Sequence, residues 1–105
     1  MSKIPVEHEE KDTWYQVSGH GIYYTKKEGI VTIKFSDTIT ANTNITLTDV
    51  IPQNYRPYQE LQFPALGGNV DDNGIVVIYP NGNLLFYVKG SGATNVIRTT
   101  ATYII

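Results

Sequence analysis

The chain has 105 residues, a formal net charge of −2 at pH 7 and no cysteine. This length suits one domain with a single core, and the missing cysteines exclude disulfides and thiolate metal sites. The acidic balance argues against a phosphate-binding surface and therefore against nucleic acid as a partner, and no apolar run approaches the roughly 20 residues that span a bilayer.

Composition and patterning favour strands over helices. Threonine, tyrosine, valine and isoleucine are abundant, alanine, leucine and glutamate are scarce, and no helical period extends beyond two turns. The predicted strands cover residues 13–17, 22–25, 30–36, 44–50, 60–66, 74–79, 83–88 and 95–105. About eight short strands at this spacing predict an all-β antiparallel sandwich or barrel, with a jelly-roll-like β-sandwich as the favoured form. Residues 13–105 are predicted to form this domain, and residues 1–12 are predicted to be an extended arm or a junction to a larger polypeptide.

Two glycine-containing turns set the predicted hairpins. The turn "KKEG" places Gly29 where a positive φ is needed. In "PNG", Pro80 and Asn81 followed by Gly82 suit a type I turn with a left-handed glycine. A two-residue turn at Asn81-Gly82 would instead shift the register by one residue and exchange the facing partners.

The hairpin of residues 74–88 is apolar on both faces in either register. A sandwich strand normally leaves one polar face to water, so this hairpin requires cover from a partner subunit, or from the arm or a loop of its own chain. The terminal "TYII" has no polar tail, which favours the partner subunit and predicts an obligate oligomer. The candidate interface residues are Val76, Ile78, Leu85, Tyr87, Tyr103 and Ile105.

Catalytic and metal-binding constellations are not evident in the sequence. The segment "HEEK" lacks the second histidine of a zinc-binding helix. The segment "VDDNG" is shorter than an EF-hand loop and lacks its terminal glutamate, so a turn is favoured over a weak metal site. No pair of carboxylates is spaced for glycoside hydrolysis. We therefore expect no enzyme activity, no cofactor and no metal.

Recognition of a saccharide remains, because aromatic rings stack on sugars while Arg, Asn and Asp side chains orient hydroxyl groups. The candidate ligand-binding residues are Arg56, Tyr55, Tyr58, Trp14, His20, Asp71 and Asn73. Each has a structural alternative. The segment "NYRPY" suits a corner set by Pro52 and Pro57, His20 between glycines suits a turn, and the aromatic side chains suit partial burial with the polar tip in water.

Several segments together resemble a known family. They are the Tyr-rich "GIYYT", the strand "GIVTI", the run "IPQNYRP" leading into "FPA", the hairpin "IYPNGNL" and the closing "TYI". In this order and spacing, residues 14–105 resemble the C-terminal head domain of phage tail-fibre and baseplate receptor-binding proteins that infect Gram-positive bacteria. Ile51 stands where leucine is commoner.

The resemblance implies a β-sandwich head that assembles as a homotrimer at the tail tip of the virion, after synthesis in the bacterial cytoplasm. Its implied partners are host cell-wall polysaccharide or teichoic acid and other tail or baseplate proteins, without nucleic acid or membrane insertion. Weak sites displayed in several copies would provide multivalent adhesion. Two rival functions are a structural trimerisation or capping module that binds no ligand, and a monomeric carbohydrate-binding module.

The Tyr-Arg-Pro run itself is expected to be mainly a corner, because heads with different hosts share it. Arg56 is then a candidate for pairing across a subunit boundary. The expected carriers of specificity are the loops "SGHG", "SDTITANTN", "LGGNVDDN" and "KGSGATN".

Overall fold

The computed structural model describes residues 13–105, which form one continuous antiparallel sheet of eight strands that curls around the core. In chain order the strands are β1 (Tyr15–Gln16), β2 (Ile22–Lys27), β3 (Ile30–Thr40), β4 (Ile45–Leu47), β5 (Leu61–Leu66), β6 (Asn73–Ile78), β7 (Leu84–Lys89) and β8 (Thr94–Ile104). A short 3-10 helix, Gln53–Tyr55, precedes β5. The all-β prediction is confirmed, and each predicted strand corresponds to an observed one. The predicted arm, residues 1–12, lies outside the described residues.

The strand order in the sheet is β1-β2-β3-β8-β5-β6-β7-β4. Three antiparallel pairs are nested along the chain, with β5–β6 innermost, β4–β7 next and β3–β8 outermost. Nested pairing is what a long folded ribbon produces when it rolls up, as in a jelly roll. The jelly-roll-like topology is therefore confirmed, whereas assembly as a trimer stays a prediction.

The core lies on the concave side of the curled sheet. Phe35 of β3 and Phe86 of β7 meet edge to face with ring centroids 5.9 Å apart, although their strands are not neighbours in the sheet. The largest fully buried side chains are Phe86, Ile22, Ile33, Ile51, Ile78, Leu84, Ile97, Val31, Val76 and Val88. Burial of each stabilises the fold by about 1.5–3 kcal/mol relative to exposure. The hydrophobic alternation of the strands thus supplies the driving force for the curl.

Two strand ends differ from the prediction. Both β3 and β8 span 11 residues and pair along their whole length, whereas the sequence predicted that the third strand ends at Ser36. Asp37 hid the continuation, because it interrupts an apolar alternation that resumes at buried Ile39. The fourth strand is shorter than predicted, because Asp49 adopts a φ of 56° and leaves the extended conformation.

The β6–β7 hairpin adopts the first of the two predicted registers. Gly82 has a φ of 90° and donates its N–H to the oxygen of Tyr79 at 3.0 Å, while the Tyr79 N–H donates to the oxygen of Asn83 at 3.0 Å. Pro80, Asn81 and Gly82 therefore form a three-residue loop. At the other predicted turn, Glu28 and Gly29 both have positive φ, of 53° and 79°, which fits a two-residue hairpin turn.

Burial within the chain corrects three of the predicted interface residues. Val76 and Ile78 are fully enclosed in the core of their own chain, and Tyr103 is 7% exposed. The Tyr103 hydroxyl donates to the Tyr55 oxygen at 2.6 Å, and burial raises the pKa of this phenol. None of these side chains is available to a second subunit, because each is buried in its own chain. For Val76 and Ile78, the two-sided apolar pattern of the hairpin had left open which side chains point inward.

The opposite side of the hairpin is apolar as predicted. Pairing places Ile75 opposite Tyr87 and Val77 opposite Leu85, on the side that faces away from the core. Val77 is buried although it lies outside the core cluster, and the other three are half-buried. Leu85 and Tyr87 thus remain candidates for an interface. So does the half-buried Ile105, which packs against the edge of the core.

Candidate functional site

The outer face of the sheet, the face directed away from the core, differs from the rest of residues 13–105 in its charges. Across the eight strands in residues 13–105, its positions carry cations and neutral side chains but no Asp or Glu. The cations are Lys27, Lys34, Lys89 and Arg98. Most of the neutral polar side chains are threonines, with a few other hydroxyl and amide groups. This distribution differs from the acidic balance of the whole chain.

A depression of about 460 Å³ lies on this face, where β2, β3, β8 and β5 adjoin. Its lining residues are Tyr23, Lys34, Phe35, Ser36, Leu66, Arg98, Thr99 and Thr100. Cross-strand pairing arranges most of them in two adjacent rows. Tyr23, Lys34 and Thr100 form one row, and Ser36, Arg98 and Leu66 form the next. The long-range pairing of β3 with β8 therefore builds the depression.

Four of the lining side chains supply polar chemistry from neighbouring positions. Lys34 and Arg98 are exposed cations, and Ser36 and Thr100 are exposed hydroxyls. Tyr23 contributes an aromatic ring that is 38% exposed. An aromatic surface beside convergent hydrogen-bonding groups is a common way to bind a saccharide.

Trp14 extends the aromatic surface next to the depression. The Lys34 Nζ atom lies 5.4 Å from the centroid of its ring, and the ring is 40% exposed. Such a cation–π contact contributes about 0.5–1 kcal/mol at an exposed site and restrains the position of the ammonium group. Of the predicted ligand-binding residues, Trp14 is the one that the fold brings beside the depression.

The Tyr-Arg-Pro run is a corner. The Arg56 Nε donates to the oxygen of Ile51 at 2.7 Å, and its Nη2 pairs with the Asp49 carboxylate at 2.5 Å. The backbone N–H groups of Val50 and Ile51 donate to the Gly82 oxygen at 2.9 and 3.1 Å. The corner is thereby fastened to the turn of the β6–β7 hairpin. The carboxylate partner of Arg56 in this structure thus belongs to its own chain, and pairing of Arg56 across a subunit boundary stays a prediction.

Tyr55 packs inside the same corner, whereas Tyr58 does not. The Tyr55 ring meets the Tyr24 ring edge to face at 5.2 Å between centroids, and the Lys26 Nζ lies 5.0 Å from its centroid. The half-buried Tyr55 is therefore structural. Tyr58 is 83% exposed and does not line the depression.

His20 serves the turn between β1 and β2. Its Nδ1 lies 2.9 Å from the Asp37 Oδ2, and the Asp37 Oδ1 accepts the N–H of Gly21 at 3.0 Å. The half-buried Asp37 thus fastens this turn to β3. These contacts support the turn interpretation of His20 rather than a ligand contact.

In the loop between β5 and β6, the organising residue is Asp72, which the sequence did not single out. Its Oδ2 accepts Asn95 Nδ2 at 2.9 Å and the Asn69 N–H at 3.1 Å. The hydrogen bond from Asn95 is the main cause that lowers the pKa of Asp72. Asp71 and Asn73 are exposed. Within residues 13–105, no group of three or more His, Cys, Asp or Glu side chains comes together as metal ligands.

Lys34, Ser36, Arg98 and Thr100 were missed because each looks ordinary in its own segment. The alternation in "VTIKFS" and "IRTTATY" assigns them to a polar strand face, which is the only local signal. Their proximity depends on which strands pair across the sheet, and the alternation does not specify this.

Comparison with protein-family models finds no matching family, and comparison with curated proteins finds no significant relative. Among residues 13–105, no helix is long and apolar enough to cross a membrane. The fold and the chemistry of the depression therefore carry the functional proposal.

Proposed function

We propose that this domain is a phage tail-tip adhesion head that recognises a host cell-surface saccharide through the outer-face depression. The observation that carries the proposal is the depression itself, where the exposed face of Tyr23 lies beside hydroxyl and cationic side chains. The jelly-roll-like topology, which is common among lectin domains, and the sequence resemblance to receptor-binding heads support it. The site performs recognition without chemistry, so no cofactor takes part.

The size of the depression suits a small part of a polymer. Its volume of about 460 Å³ falls in the range of small-ligand sites, and it is built from side chains on an open sheet face. Binding by such a site is expected near millimolar, which corresponds to about −4 kcal/mol. One site of this affinity would not hold a virion on a cell.

Multivalent display would supply the missing affinity. The apolar outer side of the β6–β7 hairpin, with Leu85 and Tyr87 half-buried, supports assembly as a homotrimer. Linked sites raise overall binding by about 10²–10⁴ without new contacts, provided that they engage together. In this proposal the domain belongs to the virion, and its partners are its own copies, other tail or baseplate proteins, and host cell-wall polysaccharide or teichoic acid.

The test combines molar mass with adhesion. Light scattering after size exclusion should give a mass near three times 11.7 kDa, and the protein should sediment with purified host cell walls. Tyr23→Ala should weaken binding by about fivefold per site, the cost of losing one stacking ring. Tyr58→Ala is the matched control, because it removes an exposed ring outside the depression.

Each rival function predicts a different result. A trimer that adheres to no wall preparation would identify a structural capping module. A monomer that binds would identify a free-standing carbohydrate-binding module. Loss of binding in Tyr58→Ala with Tyr23→Ala unaffected would move the site away from the depression.

A further inference from the structure

Strands β5 and β8 are neighbours in the sheet but share little backbone pairing. Within residues 13–105 their register consists of the single pair Leu66–Arg98, whereas β3 and β8 pair along 11 residues. We call the place where β5 and β8 meet, residues 64–68 and 95–99, the β5–β8 seam. The spacing of these two strands therefore depends on contacts other than a continuous ladder.

Pro64 explains why the pairing stops on one side of Leu66–Arg98. Its carbonyl oxygen points to β8, because it accepts the Thr99 hydroxyl at 2.8 Å. The N–H and C=O groups of one residue in an antiparallel strand point to the same side, so the Pro64 nitrogen also faces β8. Proline has no N–H to donate. The next hydrogen-bonded pair, which would join Pro64 to Thr100, therefore lacks one of its two bonds.

Two side chains of β8 strengthen the seam on either side of its single backbone pair. On one side, the Thr99 hydroxyl donates to Pro64. On the other side, beyond the end of β5, the Asn95 Oδ1 accepts the N–H of Gly68 at 2.8 Å. Asn95 is buried and also donates to Asp72 at 2.9 Å. The side chain of Thr99, by contrast, is half-buried and lies at the depression.

The seam sets the position of one wall of the depression. Of the lining residues, Leu66 alone belongs to β5, and the others belong to β2, β3 and β8. Continuous pairing fixes the spacing of β2, β3 and β8. The Leu66 side chain is 65% exposed, so packing against the core contributes little to its position. Because a binding site must be held to within about 0.5 Å, the width of this one depends on the seam.

We propose that Thr99 is a positioning residue of the depression. Its hydroxyl binds Pro64, compensates for the N–H that Pro64 lacks, and thereby holds the Leu66 wall at the distance from Arg98 that the ligand requires. Thr99 acts through Pro64 and Leu66, because its hydroxyl proton is already donated to the Pro64 oxygen. This role deepens the proposed adhesive function and rests on it, whereas the seam itself is measurable without a ligand.

The experiment uses the full chain and a cycle of substitutions. Thr99→Val keeps the branched shape and removes the donor. Pro64→Val supplies an N–H that can pair with β8, and a double variant carries both changes. Thr102→Val is the matched control, because Thr102 is an exposed threonine of β8 outside the seam and the depression.

Two quantities are measured on each variant. Amide hydrogen exchange, followed by NMR, reports local opening. The informative amide is that of Leu66, which faces β8 because it lies two residues from Pro64 in the same strand. Binding is measured with poly(glycerol phosphate), a defined teichoic acid polymer, and with purified cell walls from a panel of Gram-positive bacteria.

Thr99→Val should speed exchange at Leu66 by about fivefold, the effect of losing one neutral hydrogen bond. It should weaken binding by a similar factor. Exchange at Ile33, in the fully paired β3, should stay within about twofold. The double variant should recover both slow exchange and binding, because a backbone bond replaces the lost side-chain bond. Thr102→Val should change neither quantity by more than about twofold.

Three results would overturn the role of Thr99. The first is an unchanged exchange rate at Leu66 in Thr99→Val. The second is a double variant that recovers slow exchange but not binding, because Thr99 would then contact the ligand itself. The third is an equal loss of binding in Thr102→Val. If the unaltered chain bound neither the polymer nor any wall preparation while exchange changed as expected, the adhesive function would be overturned and the seam retained.

Discussion

The Tyr-Arg-Pro corner and the outer-face depression differ in how their side chains are used. In the corner, residues that are close in sequence form hydrogen bonds with one another: Arg56 donates to the Ile51 oxygen and to the Asp49 carboxylate. In the depression, residues from separate strands meet, and their charges have no partner within residues 13–105. The most distinctive stretch of the sequence is thus structural, while the proposed binding site consists of ordinary strand residues.

The largest effect is expected at Gly82, where the corner meets the hairpin turn. A Cβ atom added there would lie 2.6 Å from the Arg56 Nε and 2.7 Å from the Ile51 oxygen, at a φ of +90°. We expect Gly82→Ala to lower the free energy of unfolding by about 3 kcal/mol, through backbone strain and displacement of Arg56. Urea denaturation of the variant measures this change.

Gly19→Ala is the matched control for that substitution. Gly19 also has a positive φ, of +79°, but a Cβ there meets nothing within 4 Å. Gly19→Ala should lower the free energy of unfolding by about 1–2 kcal/mol, which is the cost of the backbone strain alone. Equal losses in the two variants would mean that the corner is not tightly packed against the turn.

A smaller loss of stability is expected at Arg56. Replacement of Arg56 should affect stability, whereas replacement of Arg98 should affect glycan binding. Arg56→Ala should lower the free energy of unfolding by about 2 kcal/mol, since it removes a half-buried charged donor. Most of this comes from the Nε bond to Ile51, because Asp49 is largely exposed and its ion pair contributes little. Urea denaturation and glycan binding are measured on the same samples.

The Arg98→Ala variant supplies the other half of that comparison. Its exposed side chain makes no ion pair with residues 13–105, so stability should change by less than about 0.5 kcal/mol while glycan binding falls. If Arg56→Ala abolished binding at unchanged stability, the roles assigned to the corner and the depression would be reversed.

A further effect, which depends on pH, is expected at Asp72 in the loop between β5 and β6. Its pKa is lowered from 3.8 in the folded chain, chiefly by the Asn95 hydrogen bond. A lowered folded pKa stabilises the fold above the unfolded value, and this contribution is lost as the pH falls through the folded pKa. Asp72→Asn should therefore flatten the fall in urea midpoint below about pH 4.

Asp71→Asn is the control for that measurement. Asp71 is the exposed neighbour of Asp72, and its replacement should leave the acid dependence as it is in the unaltered chain. An unchanged acid profile in Asp72→Asn would show that the Asp72–Asn95 contact does not contribute to acid stability.

Local signals in the sequence predicted much of the fold. Period-two alternation located every strand, because one face of each strand must be buried. Turn chemistry predicted the positive φ at Gly29 and Gly82. Where both faces of a strand are apolar, alternation does not show which side chains point to the core. Val76 and Ile78 were therefore assigned to the wrong side of the sheet.

The candidate site was far less predictable. Trp14 was expected and lies beside the depression, but Lys34 and Arg98 were not considered. Neither residue is distinctive alone. Lys34 and Arg98 become distinctive when they are neighbours, and they are neighbours only because β3 pairs with β8. Conversely, Arg56 attracted attention as a lone cation among prolines, and the fold gives it partners within the corner.

The amino-acid sequence by itself determined the strands, their turns and the corner, because these depend on neighbouring residues and on a local alternation of polarity. Only the tertiary structure decided which side chains share a surface. Strand pairing joins residues that are far apart along the chain, and the curl of the sheet sends one parity to the core and the other to solvent. A chain with a net charge of −2 thereby has a basic outer sheet face, which the net charge alone does not reveal.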